Sequence, residues 1–231
     1  MNIREKLNDT VSKIPYIGEV LTTEINAKGL ATAALAATLA LSPLPAEASG
    51  SVEAMAGDKT TTIDTKVGAE VAPDTNLFLR QRTTSDYDSN VSFFGLADLS
   101  YNIFDGLSAV AEVQAAPEMG VIPRLGAQYF GQFGDFSAYA LATVKAMENP
   151  DGEFIINLSY NPELTNGVRL LTNIENLTSV GEEGHQFSVQ RLRAGLTFQD
   201  KYSVGIGADL TEVGNEGELD YNVGGFAGLK F

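Results

Sequence analysis

The chain has 231 residues, a net charge of -15, and neither Cys nor Trp. Disulfides, thiol chemistry and Cys-zinc sites are therefore excluded, and the single His185 leaves little for a His-based metal centre. The acidic balance argues against a nucleic-acid partner, which needs a basic face, and no pattern calls for a cofactor or a metal.

The 23 Gly and a mean hydropathy near zero, without a long apolar run after the front, suit a β-barrel, where apolar and polar residues alternate and cancel. A soluble acidic β-sandwich would have the same average. All twelve Phe and seven of the eight Tyr lie after residue 76, so an aromatic-poor front precedes an aromatic-rich body.

In the front, residues 29–41 (GLATAALAATLAL) form a short uncharged run, broken at Ser42-Pro43-Leu44-Pro45 and followed by Ala46-Glu47-Ala48. An apolar core, a breaker and a small-x-small site predict a secretory signal peptide over residues 1–48, cleaved after Ala48. The run is too short for a spanning helix, which needs about 20 residues. The preceding segment is unusually long, and its bases (Arg4, Lys6, Lys13, Lys28) are matched by acids (Glu5, Asp9, Glu19, Glu24). Residues 2–21 place apolar side chains at helical spacing, so this extended n-region is expected to be helical. Residues 49–60 are small and polar and read as a linker, with a short first strand as the alternative.

From residue 61 onward a period of two recurs, the mark of strands with one apolar and one polar face. It predicts eleven strands, at 61–72, 76–84, 90–104, 107–115, 121–131, 136–146, 153–160, 167–177, 185–198, 202–213 and 219–231. Pro123 fits only near a strand start or an edge. Short turns (73–75, 105–106, 131–135, 161–167, 199–201) alternate with longer, more acidic links (85–89, 116–120, 147–152, 178–185, 214–218). Turns on one side and loops on the other are what an up-and-down transmembrane barrel requires.

The last stretch, LDYNVGGFAGLKF at 219–231, alternates back from a terminal Phe231. Tyr221 and Phe231 share its apolar face ten residues apart, about 25 Å along the normal of a tilted strand and the height of an outer-membrane apolar band. This stretch resembles the C-terminal strand of Gram-negative outer-membrane β-barrels of the porin-like kind. The resemblance implies an outer-membrane location, lipids as partners, and engagement of the barrel-assembly machinery through the C-terminal strand. It also places Phe231 on the periplasmic side.

The expected fold is thus all-β: an antiparallel up-and-down barrel over residues 61–231. Bacterial single-chain barrels have an even strand number, so eleven must become twelve, with residues 50–58 added, or ten, with 61–72 left out of the wall. The clean alternation at 61–72 favours twelve. Aromatics at strand ends (Phe104, Phe136, Tyr160, Phe198, Tyr202, Tyr221, Phe231) are expected to form interfacial girdles.

Charged residues fall on the polar face, and Arg80, Arg82, Asp98, Glu112, Arg124, Arg169, Glu175, Arg191, Arg193 and Asp209 are expected to line the lumen. A lipid-facing Arg at mid-depth costs roughly 2–4 kcal/mol, which alone drives them inward. The leading expectation is passive passage of small polar solutes or ions past Arg and carboxylates, followed by a closed structural barrel with a salt-bridged interior. Third comes a hydrolase at the rim. There His185 and Ser188 are the only nucleophile-base candidates, and three residues apart on a regular strand they face opposite sides, so no enzyme is expected.

Overall fold

A computed structural model describes residues 48–88, 90–117, 120–147, 149–214 and 217–231. The export segment lies outside the described residues but for Ala48, and so do Glu118, Glu148 and Glu216 of the acidic links.

The described chain is all-β. Its strands are β1 (Ser49–Gly57), β2 (Thr60–Ala72), β3 (Thr75–Asp86), β4 (Val91–Phe104), β5 (Leu107–Ala116), β6 (Gly120–Phe133) and β7 (Phe136–Lys145). They continue with β8 (Gly152–Tyr160), the three-residue β9 (Glu163–Thr165), β10 (Val168–Gly181), β11 (Gly184–Phe198), β12 (Tyr202–Val213) and β13 (Glu218–Lys230). Each wall strand pairs antiparallel with the next, β8 passing directly to β10, and β13 returns to pair with β1. The sheet is therefore closed. β9 only folds against the start of β10, which leaves twelve strands in the wall.

The twelfth strand comes from residues 49–60, so the linker reading gives way to β1 and a tight turn. In β1 the outward residues are Gly50, Val52, Ala54 and Ala56, of which only Val52 is large enough to register in an apolar stripe, while Glu53 and Met55 point inward. The seam is sealed to the last residue: the Gly50 amide donates to the Phe231 carbonyl at 2.8 Å, and the Phe231 amide donates back at 3.0 Å. Closure matters because an open sheet edge in lipid leaves backbone groups unsatisfied.

The connections at the Phe231 end include turns at residues 73–74, 105–106 and 134–135, where Asp74, Gly106 and Gly134 adopt positive φ. The length contrast expected between the two ends is weak. β10 and β11 continue to Gly181 and from Gly184, so the supposed link at 178–185 is only two residues long. Outward Asn176 and Thr178 of β10 and Ser188 of β11 interrupt the apolar stripe there, so the alternation fades before the pairing does. Pro123 lies four residues into β6, just before pairing with β7 begins at Arg124.

The distribution of polarity is inverted relative to a water-soluble domain. Ile206 is 70% exposed and Leu125 60%, whereas Arg124 and Glu112 are each 1% exposed. A belt of Ile, Leu, Val, Phe and Tyr on the outer face with charges inside is the surface of a membrane-spanning barrel of the outer-membrane type.

Candidate functional site

Inward positions of β2, β3, β10, β11 and β12 carry a lattice of alternating charge. In β2 and β3, register opposes Asp64 to Arg82 and Lys66 to Arg80. Arg80 grips its diagonal neighbour Asp64 with two bonds, Nε to Oδ1 at 3.0 Å and Nη2 to Oδ2 at 2.6 Å. The same guanidinium then reaches across the lumen to Glu175, with Nη2 to Oε1 at 3.1 Å and Nη1 to Oε2 at 3.3 Å. β3 and β10 stand six strands apart in either direction round the wall, so this bar spans the barrel between diametrically opposed strands.

Glu175 also receives Arg191 from the neighbouring strand, Lys66 at 3.7 Å, and a bond from Asn157 at 3.5 Å. Arg193 donates to Asp209 at 2.7 Å and to Glu53 at 2.8 Å, tying β11 to β12 and β1. Arg82 lies between Asp64 (3.5 Å) and Asp209 (3.9 Å).

The bar divides the accessible interior. A cavity of about 640 Å³ touches Arg82, Arg191 and Arg193, and a second of about 630 Å³ touches Asp98, Phe78 and Tyr139. Arg80, Glu175, Lys66, Asn157 and Phe130 border both. Phe226, 3% exposed, fills space on the inner face of β13.

A second, drier cluster belongs to β4–β8. Arg124 is surrounded by Thr143 (2.9 Å), Asp151 (2.6 Å), Glu153 (3.3 Å) and Glu112 (3.7 Å). The Gln114 amide donates to Glu112 at 2.8 Å and to Glu153 at 2.6 Å, and Asp98 lies opposite Glu112 in register.

Of the ten charged residues expected inside, nine belong to these two clusters. Arg169 is apart at the Phe231 end, bonded to the Asn161 carbonyl and to Asp135. Glu53 and Glu153 join the two clusters: Glu53 lies on β1, whose small and polar residues read equally as a linker, and Glu153 lies at the very start of its strand. At the other end Lys59 pairs with Asp220 at 2.5 Å, so that rim is not purely acidic. The seven expected girdle aromatics are all exposed, six toward the Phe231 end and Tyr221 toward the other.

One expectation is overturned. Ser188 and His185 do meet: His185 Nε2 lies 2.8 Å from Ser188 Oγ. The register between β10 and β11 shifts between Ser179 and Val180, which pair with Phe187 and His185, leaving Gln186 as an extra residue. A bulge of one residue restores to a single face two side chains that regular alternation would separate.

No protein-family model and no curated protein matches the chain. Among solved structures it is similar to the NanC porin, at 9% identity and a TM-score of 0.51, with 80% of this chain and 98% of that one covered. It is also similar to a KdgM porin in complex with disordered oligogalacturonate (8%, TM-score 0.47, 79% and 98%). A third is the COG4313 outer membrane channel from Pseudomonas putida F1 (12%, TM-score 0.46, 81% and 97%). At these identities the likeness is one of fold, and the fold is that of a porin-like outer-membrane β-barrel.

Proposed function

We propose that the chain is a porin-like channel for passive diffusion of small polar solutes or ions through its Arg- and carboxylate-lined lumen. The observation that carries this reading is the pair of charged cavities flanking the Arg80–Glu175 bar. Opposed fixed charges across a narrow bore orient and select small hydrated solutes. Both chain ends have short connections among the described residues, so wall side chains set the width of the passage.

A second reading is a closed structural barrel. The bar that crosses the lumen favours it, as does Arg124, whose guanidinium is enclosed by carboxylates. Planar-bilayer recording of the refolded protein separates the two. Stepwise conductance that changes in Arg191→Ala or Arg193→Ala is the expected result, and a correctly folded but silent barrel would remove the channel and leave the closed form.

The same reading includes export by residues 1–48, anchoring by the end aromatics, and insertion by the barrel-assembly machinery through residues 219–231. Cleavage after Ala48 sets the mature N-terminus at Ser49, immediately at β1. Intact-mass measurement of protein taken from outer membranes is expected to give the mass of residues 49–231. A mass that retains the first residues would refute the cleavage.

A further inference from the structure

The outer wall carries one polar patch that passage of solutes does not use. Ser188 pairs in register with Thr178 and Glu212, which pair in turn with Phe154 and Leu219. Cross-strand partners point to the same side, and Phe154 and Leu219 are exposed on the outer belt. Ser188 therefore faces lipid, and so does His185, opposite the exposed Val180.

There the side chains form a hydrogen-bonded chain. Thr178 Oγ1 lies 3.2 Å from Asn176 Oδ1 and 3.0 Å from Ser188 Oγ, which meets His185 Nε2 at 2.8 Å. His185 Nδ1 lies 2.9 Å from the Gly214 carbonyl. A carbonyl only accepts, so Nδ1 carries the proton. In the neutral imidazole Nε2 then presents its lone pair to the Ser188 hydroxyl, the tautomer a general base requires. The imidazole is held in place because the Gly214 amide donates to the Gln186 carbonyl of the bulge at 2.8 Å.

Polar chains facing lipid are costly, and in membrane proteins they mark functional sites. This one lies four residues from the start of β11, beside the exposed Phe154, an outward aromatic of the kind that sits at the interface, where lipid ester carbonyls lie.

We propose that Ser188 and His185 are a nucleophile-base pair that hydrolyses acyl esters of lipids lying against the outer wall. Ser188 Oγ bonds to the ester carbonyl carbon as its proton passes to His185 Nε2, and the carbonyl pair moves onto oxygen. Collapse breaks the bond to the alcohol oxygen, which leaves with the proton from Nε2. Water then adds to the acyl-serine and gives a proton to Nε2. The fatty acid departs and the proton returns to Ser188. Ser188 is only 8% exposed, so the substrate is one that lies along the wall.

The test uses the full barrel folded in detergent micelles and requires no open lumen. A fluorophosphonate probe is expected to label Ser188. Para-nitrophenyl octanoate and phosphatidylcholine in mixed micelles are expected to be hydrolysed, with rates lower by roughly a thousandfold in Ser188→Ala and in His185→Gln. Heat-dependent gel mobility verifies that each variant is folded. A folded wild type that neither takes the label nor hydrolyses either ester overturns the proposal, as does hydrolysis that survives Ser188→Ala. Turnover of the octanoate alone overturns the membrane lipid as substrate.

Discussion

Glu175→Gln is expected to destabilise the barrel by about 3–5 kcal/mol, the cost of breaking a buried ion pair from one side. Glu175 is the shared acceptor of Arg80, Arg191 and Lys66, and its side chain is 7% exposed. Gln keeps the shape and removes the charge. Lys66, Arg80, Arg82 and Arg191 are then left with Asp64 and Asp209 as the carboxylates in their network. Urea titration of folding into lipid vesicles measures the loss. Asp135→Asn is the control: its pair with Arg169 is partly exposed at the rim, so about 0–1 kcal/mol is expected. If the proposed channel conducts, the same Glu175 variant shifts its reversal potential in asymmetric salt toward anions. An unchanged urea midpoint would mean that the bar contributes no stability.

That bar also marks the limit of what could be read from the sequence. The inward placement of Arg80, Arg82, Arg191 and Arg193 was legible because lipid excludes arginine from the other face, and a period of two transmits that exclusion along each strand. The partner of Arg80 across the lumen was not legible. Arg80 and Glu175 are diametrically opposed because there are twelve strands, and the twelfth is β1, whose outward Val52, Ala54 and Ala56 include a single large apolar side chain and leave little periodic signal. Strand count, not local pattern, decides which inward charges can touch. The Ser188–His185 contact was hidden for a related reason. The segment His185-Gln186-Phe187-Ser188 reads as ordinary alternation, and only the pairing with β10 reveals the unpaired Gln186 that changes the parity.

The seam that supplies the twelfth strand makes the other large effect. Gly224 of β13 pairs with Gly57 of β1 and with Gly207 of β12. A methyl group on Gly224 would fall on the Ala56 carbonyl oxygen and within 2.5 Å of the Gly57 Cα. Both obstacles are backbone, so no side chain can rotate away, and β1 must separate from β13. Separation exposes unpaired amides and carbonyls to lipid at several kcal/mol each. The neighbouring Gly225 faces outward, and its nearest obstacle is the Gly205 carbonyl oxygen at 3.7 Å, an ordinary contact. Gly224→Ala is therefore expected to lose about 3 kcal/mol or more, or to yield no heat-modifiable folded band, while Gly225→Ala stays within about 0.5 kcal/mol of wild type. The two substitutions add the same methyl to adjacent residues, so composition and strand propensity cancel in the comparison. Equal stability of the two variants would show that the β1–β13 joint tolerates separation at Gly224, and that closure is not held there by close backbone approach.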